Sequence, residues 1–312
     1  MSKNSIFSKS FEEIFTKERI IFTAKKLKIE LKSNNIFEFM PHQKVFIQKN
    51  NNELREINIP GPHTKIIQKI LQEEFSYHFK FSDRSYAYRK GKSPLKAINR
   101  VKHIIKNYNF VIKTDIENFF DSIDHNILLK ILNKAIKDKK ILYLLTLFIK
   151  NGSLFKGKWQ DKLEGIYQGD VLSPLLSNLY LNIFDNYLEK KEIEFVRYGD
   201  DLILFAKNKK EAQNILELTK NTLKSLKLQI NKEKTYIVDK SKKFEYLGVI
   251  FNEKEKIYSI DNDRLMQKIS KISKETKALN LKESIEKINE HIIGFKNYYM
   301  QIINNYKQFE LL

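Results

Sequence analysis

The stretch that decides the fold is FVRYGDDLILFAK, Phe195–Lys207. Two β-prone apolar runs, Phe195–Tyr198 and Leu202–Ala206, flank a short centre holding Gly199, Asp200 and Asp201, which predicts a strand–turn–strand hairpin. In the second run Leu202 and Leu204 face one way while Ile203 and Phe205 face the other, so both faces require burial inside a domain. Adjacent carboxylates at the tip of a buried hairpin are unfavourable unless a cation balances them, and a divalent metal would do so. A turn carrying solvated acids is the other reading these residues allow by themselves.

Working outward, a third acid stands at the end of another apolar strand, where Phe110–Thr114 delivers Asp115. A strand-end acid beside Asp200 would let two metal ions share carboxylates. Such ions, about 3.5–4 Å apart, stabilise both the attacking and the leaving oxygen of an in-line phosphoryl displacement. Mg2+ suits carboxylates combined with substrate phosphates. Cysteine is absent and histidine scarce, which argues against zinc and excludes disulfides. His78, His103 and His125 have no ligand spacing and read as structural.

The 312 residues carry 57 Lys and Arg against 38 Asp and Glu, a formal charge of +19. An excess that large on a foldable chain points to a polyanion partner, nucleic acid first. A solvated lysine surface produced by AT-rich coding is the plainer alternative. No signal-peptide pattern and no membrane-length apolar run occurs, so a cytoplasmic protein without a membrane partner is expected.

Along the chain, residues 1–45 read as helix until Asn34, Asn35 and Pro41. Phe46–Gln48 and Leu54–Ile59 suggest a hairpin about Asn50–Asn52, and Ile66–Phe79 returns to helical spacing. Ser85–Ser93 is a basic loop before a helix reaching Ile105. Helical patterns cover Asp124–Ile149, Pro174–Tyr187 and Glu211–Leu226, and Phe155–Leu163 has the look of a hairpin carrying Trp159. Gln229–Asp239 and Phe244–Phe251 read as strands, and Asp263–Tyr306 as lysine-rich helix.

These stretches together resemble reverse transcriptases. FVRYGDD is similar to their YxDD hairpin, and VIKTDIENFFDSIDH to the segment bearing the other catalytic aspartate. GIYQGDVLSPLLSNLYLN resembles PQG…SPLLSN, while LQINKEKTYIV and FEYLGVIF resemble the next two palm motifs, the second being the primer grip. The order and spacing match over most of residues 50–255. REINIPGPHTKIIQKIL, SYAYRKGKSPLKAI and INEHIIGFKNYY are similar to fingers and thumb segments of the group II intron-like bacterial branch.

The resemblance implies an α+β right-hand polymerase: fingers over 1–105, palm over 106–255 and a helical, maturase X-like thumb over 256–312. It implies an RNA-directed DNA polymerase using two Mg2+ ions, replaceable by Mn2+, held by Asp115, Asp200 and Asp201 with the Ile116 carbonyl. Lys234 would protonate the leaving pyrophosphate. Phe120 would reject a ribose 2′-hydroxyl, Gln168 and Gly169 would shape the nucleotide pocket, and Arg55 and Lys65 would hold the triphosphate. Arg89, Lys90 and Lys92 would follow the template backbone, and Tyr246, Leu247 and Gly248 would grip the primer end. Implied partners are an RNA template, a DNA or RNA primer and dNTPs, with a dedicated noncoding RNA or CRISPR adaptation proteins. The expected setting is prokaryotic CRISPR adaptation or phage defence; the alternative is a retron-type or truncated group II intron enzyme acting mainly as an RNA-binding protein. Two departures stand out: Tyr167 replaces the family proline before Gln168, and Gly199 replaces the usual alanine of the hairpin.

Overall fold

The computed structural model describes residues 6–31, 36–37, 41–48, 54–254, 257–260 and 280–303, with isolated positions between 266 and 276. Asn34, Asn35, the Asn50–Asn52 turn, and most of the expected helix before residue 280 lie outside the described residues.

The helices are α1 Phe11–Ile14, α2 Lys17–Leu27, α3 Pro62–His78, α4 Pro94–Ile104, α5 His125–Ala135, α6 Lys139–Lys150, α7 Ser173–Lys190 and α8 Lys209–Ser225, with a further helix over Leu281–Tyr299. The strands are β1 His42–Gln48, β2 Leu54–Ile59, β3 Phe110–Asp115, β4 Ser153–Phe155, β5 Lys158–Gln160, β6 Phe195–Tyr198, β7 Asp201–Ala206, β8 Tyr236–Asp239, β9 Phe244–Tyr246, β10 Val249–Asn252 and β11 Ile257–Ile260. No helix among the described residues is long and apolar enough to cross a membrane.

Two compact units interleave along the chain. The first is drawn from Met1–Lys90, Ile116–Glu192 and Lys220–Ile230, the second from Gly91–Asp115, Ile193–Thr219 and Asn231–Leu312.

In the first unit, polar caps divide what the apolar pattern presents as continuous helices. Thr16 accepts a hydrogen bond from the Arg19 N–H and starts α2, separating it from α1, which has its own Ser10–Glu13 capping box. Asp124 and Asp138 cap α5 and α6 in the same way, so the expected Asp124–Ile149 helix is two. Pro62 and Pro174 sit in the first turns of α3 and α7, where no intrahelical N–H is lost. The sheet runs β2-β1-β4-β5, with β1 antiparallel to β2 and parallel to β4. The core of this unit includes Ile66, Ile67, Ile70, Leu71, Phe75, Leu176, Tyr180 and Phe184, all essentially inaccessible. Each contributes roughly 1.5–3 kcal/mol of apolar burial.

In the second unit an antiparallel sheet runs β6-β7-β3-β8. Leu202 to Ala206 are all buried, as are Val111 and Ile112 of β3. Both alternating sets of side chains in Leu202–Ala206 are inaccessible, as the two-sided pattern requires. A second sheet, β11-β10-β9, corrects the reading of Phe244–Phe251 as one strand. Tyr246 pairs with Val249, so Leu247 and Gly248 form a two-residue turn, and their φ values of 52° and 76° fit a type I′ hairpin. The stacked rings of Phe244 and Phe251, 4.8 Å apart, close it.

Candidate active site

The β6–β7 pairing ends at Tyr198 and Asp201, leaving Gly199 and Asp200 as the two central residues of the turn. Gly199 has φ +68°, the first-position geometry of a II′ turn that glycine adopts without a Cβ penalty. Arg197, fully buried, donates from Nη1 to the Gly199 carbonyl at 2.9 Å and pins the turn from below.

On the other side β7 pairs with β3, and Asp115 stands directly opposite Asp201. Residues facing each other in this way have Cα atoms about 4.5–5.5 Å apart. One further residue adds at most about 3.8 Å, so Asp115 and Asp200 are within about 10 Å. Asp115, more than 80 residues before the adjacent Asp200 and Asp201, shares one sheet end with them.

Two lysines balance them. Lys113 pairs with Asp201, and Lys234 Nζ lies 2.6 Å from Asp115 Oδ2. Asp201 keeps a quarter of its side chain exposed, yet its dense surroundings push its carboxyl up to about 6. Lys113 pulls it down, and Asp115 and Asp200 push it further up. The hydrogen bond to Asp115 raises the Lys234 ammonium above the ordinary lysine range.

Lys234 is delivered by a tight turn rather than by the strand expected from Gln229. Asn231 Oδ1 accepts from the N–H groups of Glu233 and Lys234, and the Asn231 N–H donates to the Asp115 carbonyl at 2.7 Å. The hydroxyls of Thr235 and Thr114 meet at 2.7 Å, so the turn is anchored to β3 on both flanks. The sequence reading missed Lys113. Its signal is the two-residue offset from Asp115, which puts both side chains on one face of β3.

Oxygen-only donors suit a hard divalent cation, and partly buried carboxylates facing each other are stabilised by one. Among the described residues no three His, Cys, Asp or Glu side chains are already gathered around a metal position.

The first unit holds most of the remaining expected residues. Ile116 is buried and bridges to Ile230. Phe120 is half-buried in the Glu117–Ser122 turn with its ring edge-to-face on Tyr88 at 6.4 Å. The Gln168 carbonyl accepts from the Asn58 N–H at 2.9 Å, and Gly169, at φ +121°, lies so close to β2 that a Cβ would meet the Asn58 carbonyl oxygen at 2.5 Å. Lys65 is half-buried near the start of α3 and makes no ion pair among the described residues. The Arg55 backbone lies in β2 opposite Ile47.

Arg89 turns inward. Its guanidinium donates to the carbonyls of Ser82 and Ser85 and lies over the Phe81 ring, so it orders its own loop. Lys90 is exposed, 5.4 Å above the Tyr77 ring, and Lys92 is half-buried after Gly91. In the second unit Tyr246 is fully buried, with its hydroxyl donating to the Val196 carbonyl at 3.4 Å and Lys113 over its ring at 5.7 Å. Its place is beneath the hairpin, and Leu247 and Gly248 make the adjoining turn. Tyr167, at the place of the family proline, buries its ring against His42.

The α+β fold and the paired-strand acids define a right-hand nucleic-acid polymerase. Telomerase from Candida tropicalis, solved without its C-terminal domain, shares the fold with a TM-score of 0.59 over 78% of this chain and 59% of that one, at 16% identity. Residues 47–251 match the reverse transcriptase (RNA-dependent DNA polymerase) family. Protein YkfC of Escherichia coli strain K12 is 30% identical over 264 residues, covering 71% of this chain and 69% of that protein. The group II intron-encoded protein LtrA of Lactococcus lactis is 30% identical over 215 residues, covering 68% of this chain and 35% of LtrA. The chain belongs to the reverse transcriptase family, the RNA-directed DNA polymerases, on its group II intron-like side.

Proposed function

We propose that this protein extends a DNA or RNA primer along an RNA template, joining the primer 3′-hydroxyl to the α-phosphate of a dNTP and releasing pyrophosphate. The observation that carries this is the placement of Asp115 opposite Asp201, with Asp200 in the adjoining turn. Two Mg2+ ions, held by Asp115 and Asp200 with Asp201 and the Ile116 carbonyl, would stabilise charge on the attacking and leaving oxygens; Mn2+ would serve in their place.

The chain's own residues do the rest by positioning and charge. Lys113 neutralises Asp201, and Asp115 and Asp200 would share the ions. Lys234 carries a proton on Nζ beside Asp115 and passes it to the departing pyrophosphate. Gln168 and Gly169 shape the nucleotide pocket, Phe120 rejects the ribose 2′-hydroxyl, and Lys65 and Arg55 bind the triphosphate. Leu247 and Gly248 support the primer end. Residues 1–105, 106–255 and 256–312 serve as fingers, palm and thumb, and the +19 charge supports a grip on the phosphates of the template–primer duplex.

Primer extension on an RNA template tests this. Wild type should extend with dNTPs and not with rNTPs, and Asp200→Asn should bind RNA equally but synthesise nothing. Absent synthesis by wild type, or a preference for rNTPs, would overturn the proposal.

For the biological setting, the similarity to a group II intron-encoded protein favours an intron-type enzyme working with a structured noncoding RNA. CRISPR adaptation or phage defence is the competing setting. Sequencing the RNA that copurifies distinguishes them: intron-like RNA supports the first, CRISPR-derived or phage-induced RNA the second.

A further inference from the structure

The turn from Tyr167 to Val171 is held from several sides by buried polar groups to which the polymerase reading gives no task. His42 Nε2 lies 2.7 Å from Asp170 Oδ1, and the two side chains are 0% and 5% exposed. The His42 ring packs on Tyr167 with centroids 4.4 Å apart, and the Tyr167 hydroxyl bonds to Ser153, the residue facing His42 across the β1–β4 pairing. On the far side of the turn the Val171 N–H donates to the buried Gln68 Oε1 at 3.0 Å. Between these anchors the Gln168 carbonyl and Gly169 lie against Asn58.

Burying a histidine and a carboxylate together is poor economy for stability, because desolvation offsets their attraction; the better-attested use of such a pair is to fix one conformation. Here the conformation fixed is that of Gln168 and Gly169. The family segment that this stretch resembles has a proline at the place of Tyr167, and a proline ring restricts φ by itself. Tyr167 has no such restriction, and its ring is one wall of the cluster.

We propose that His42 and Asp170 are positioning residues for the nucleotide pocket, holding the Gln168–Gly169 backbone against β2 where a proline would otherwise limit the turn. The inference rests on reading Gln168 and Gly169 as pocket residues. Asn58 and Gln68 complete the frame, and Tyr167 orients the imidazole through its ring face.

The test separates positioning from folding. Replacing both partners in His42→Leu/Asp170→Leu removes the pair without stranding either polar group, an exchange that commonly preserves stability. Steady-state primer extension on an RNA template should show KM for dNTP raised about tenfold, the scale of a displaced binding group, with kcat within about twofold and the thermal midpoint at or above that of wild type. An unchanged KM in the folded double variant overturns the inference. Should the double variant not fold, Asp170→Asn keeps the shape and weakens the contact. KM does not depend on the active fraction, so a rise in KM supports the proposal and an unchanged KM overturns it. Gln168→Ala tells the two failures apart: if it raises KM while the pair variants do not, only the positioning role falls, and if it leaves KM unchanged the pocket reading falls with it.

Discussion

Lys234 Nζ sits 2.6 Å from Asp115 Oδ2 although 119 residues separate them in the chain. The contact is built by the Asn231–Thr235 turn, and the lysine itself is 63% exposed. Asp115 keeps only 12% of its side chain exposed, so the pair is part-buried and removing the lysine leaves the carboxylate uncompensated. Lys234→Ala should lower the thermal midpoint and, in the folded protein, lower the single-turnover extension rate about 10²-fold or more, the range for loss of a general acid. A rate within threefold of wild type would remove Lys234 from the chemistry.

Gly199 takes the positive-φ place in the Asp200 turn. An L-residue there costs roughly 1–2 kcal/mol. Gly199→Ala should lower the urea denaturation free energy by about that amount while retaining extension, because the side-chain contacts of Asp115 and Asp201 do not involve Gly199. Unchanged stability would show that the turn relaxes to a different form.

Arg89 and Lys90 are neighbours with opposite expectations. Arg89 donates to loop carbonyls, so Arg89→Ala should destabilise the fold by about 2 kcal/mol and leave the salt dependence of RNA binding alone. Lys90 is exposed beside Tyr77, and Lys90→Ala should keep stability but reduce the slope of log binding constant against log salt by about one. The reverse pattern would restore Arg89 as a template contact.

His125 supplies a pH signature. It is buried with Nε2 2.7 Å from the Gly165 carbonyl, and burial lowers its pKa below the ordinary imidazole value, helped by Lys162 and Lys150. The unfolded chain therefore takes up the proton first. The stabilisation is complete above about pH 6.5 and is lost as the pH falls below that value. Denaturation midpoints at pH 7.5 and 5.5 should differ more for wild type than for His125→Gln; equal differences would show that this site is not responsible.

What the sequence shows of this protein is what is local. The hairpin at Phe195–Ala206 is legible because its alternation and its glycine are consecutive, and the strand ending in Asp115 is legible for the same reason. Their alignment is not local, since the Asp115–Asp201 register depends on β7 lying between β6 and β3. Family resemblance supplied that alignment where periodicity could not. Lys113 went unnoticed among many lysines because only the pairing with β7 gives it a partner. The Leu247–Gly248 turn was hidden by leucine, which no turn preference places at positive φ. Arg89 shows the converse, a cation in a basic loop whose hydrogen bonds go to its own backbone.

The alternation of the two units between chain segments bears on how the protein is made. The first unit needs its last piece from Lys220–Ile230, and the second needs β8, which begins at Tyr236. Neither can close while the ribosome still holds the middle of the chain, so folding in order of synthesis, one finished body after another, is denied to this architecture. The sheet that carries Asp115 and Asp201 is complete only once β8, ending at Asp239, has been synthesised.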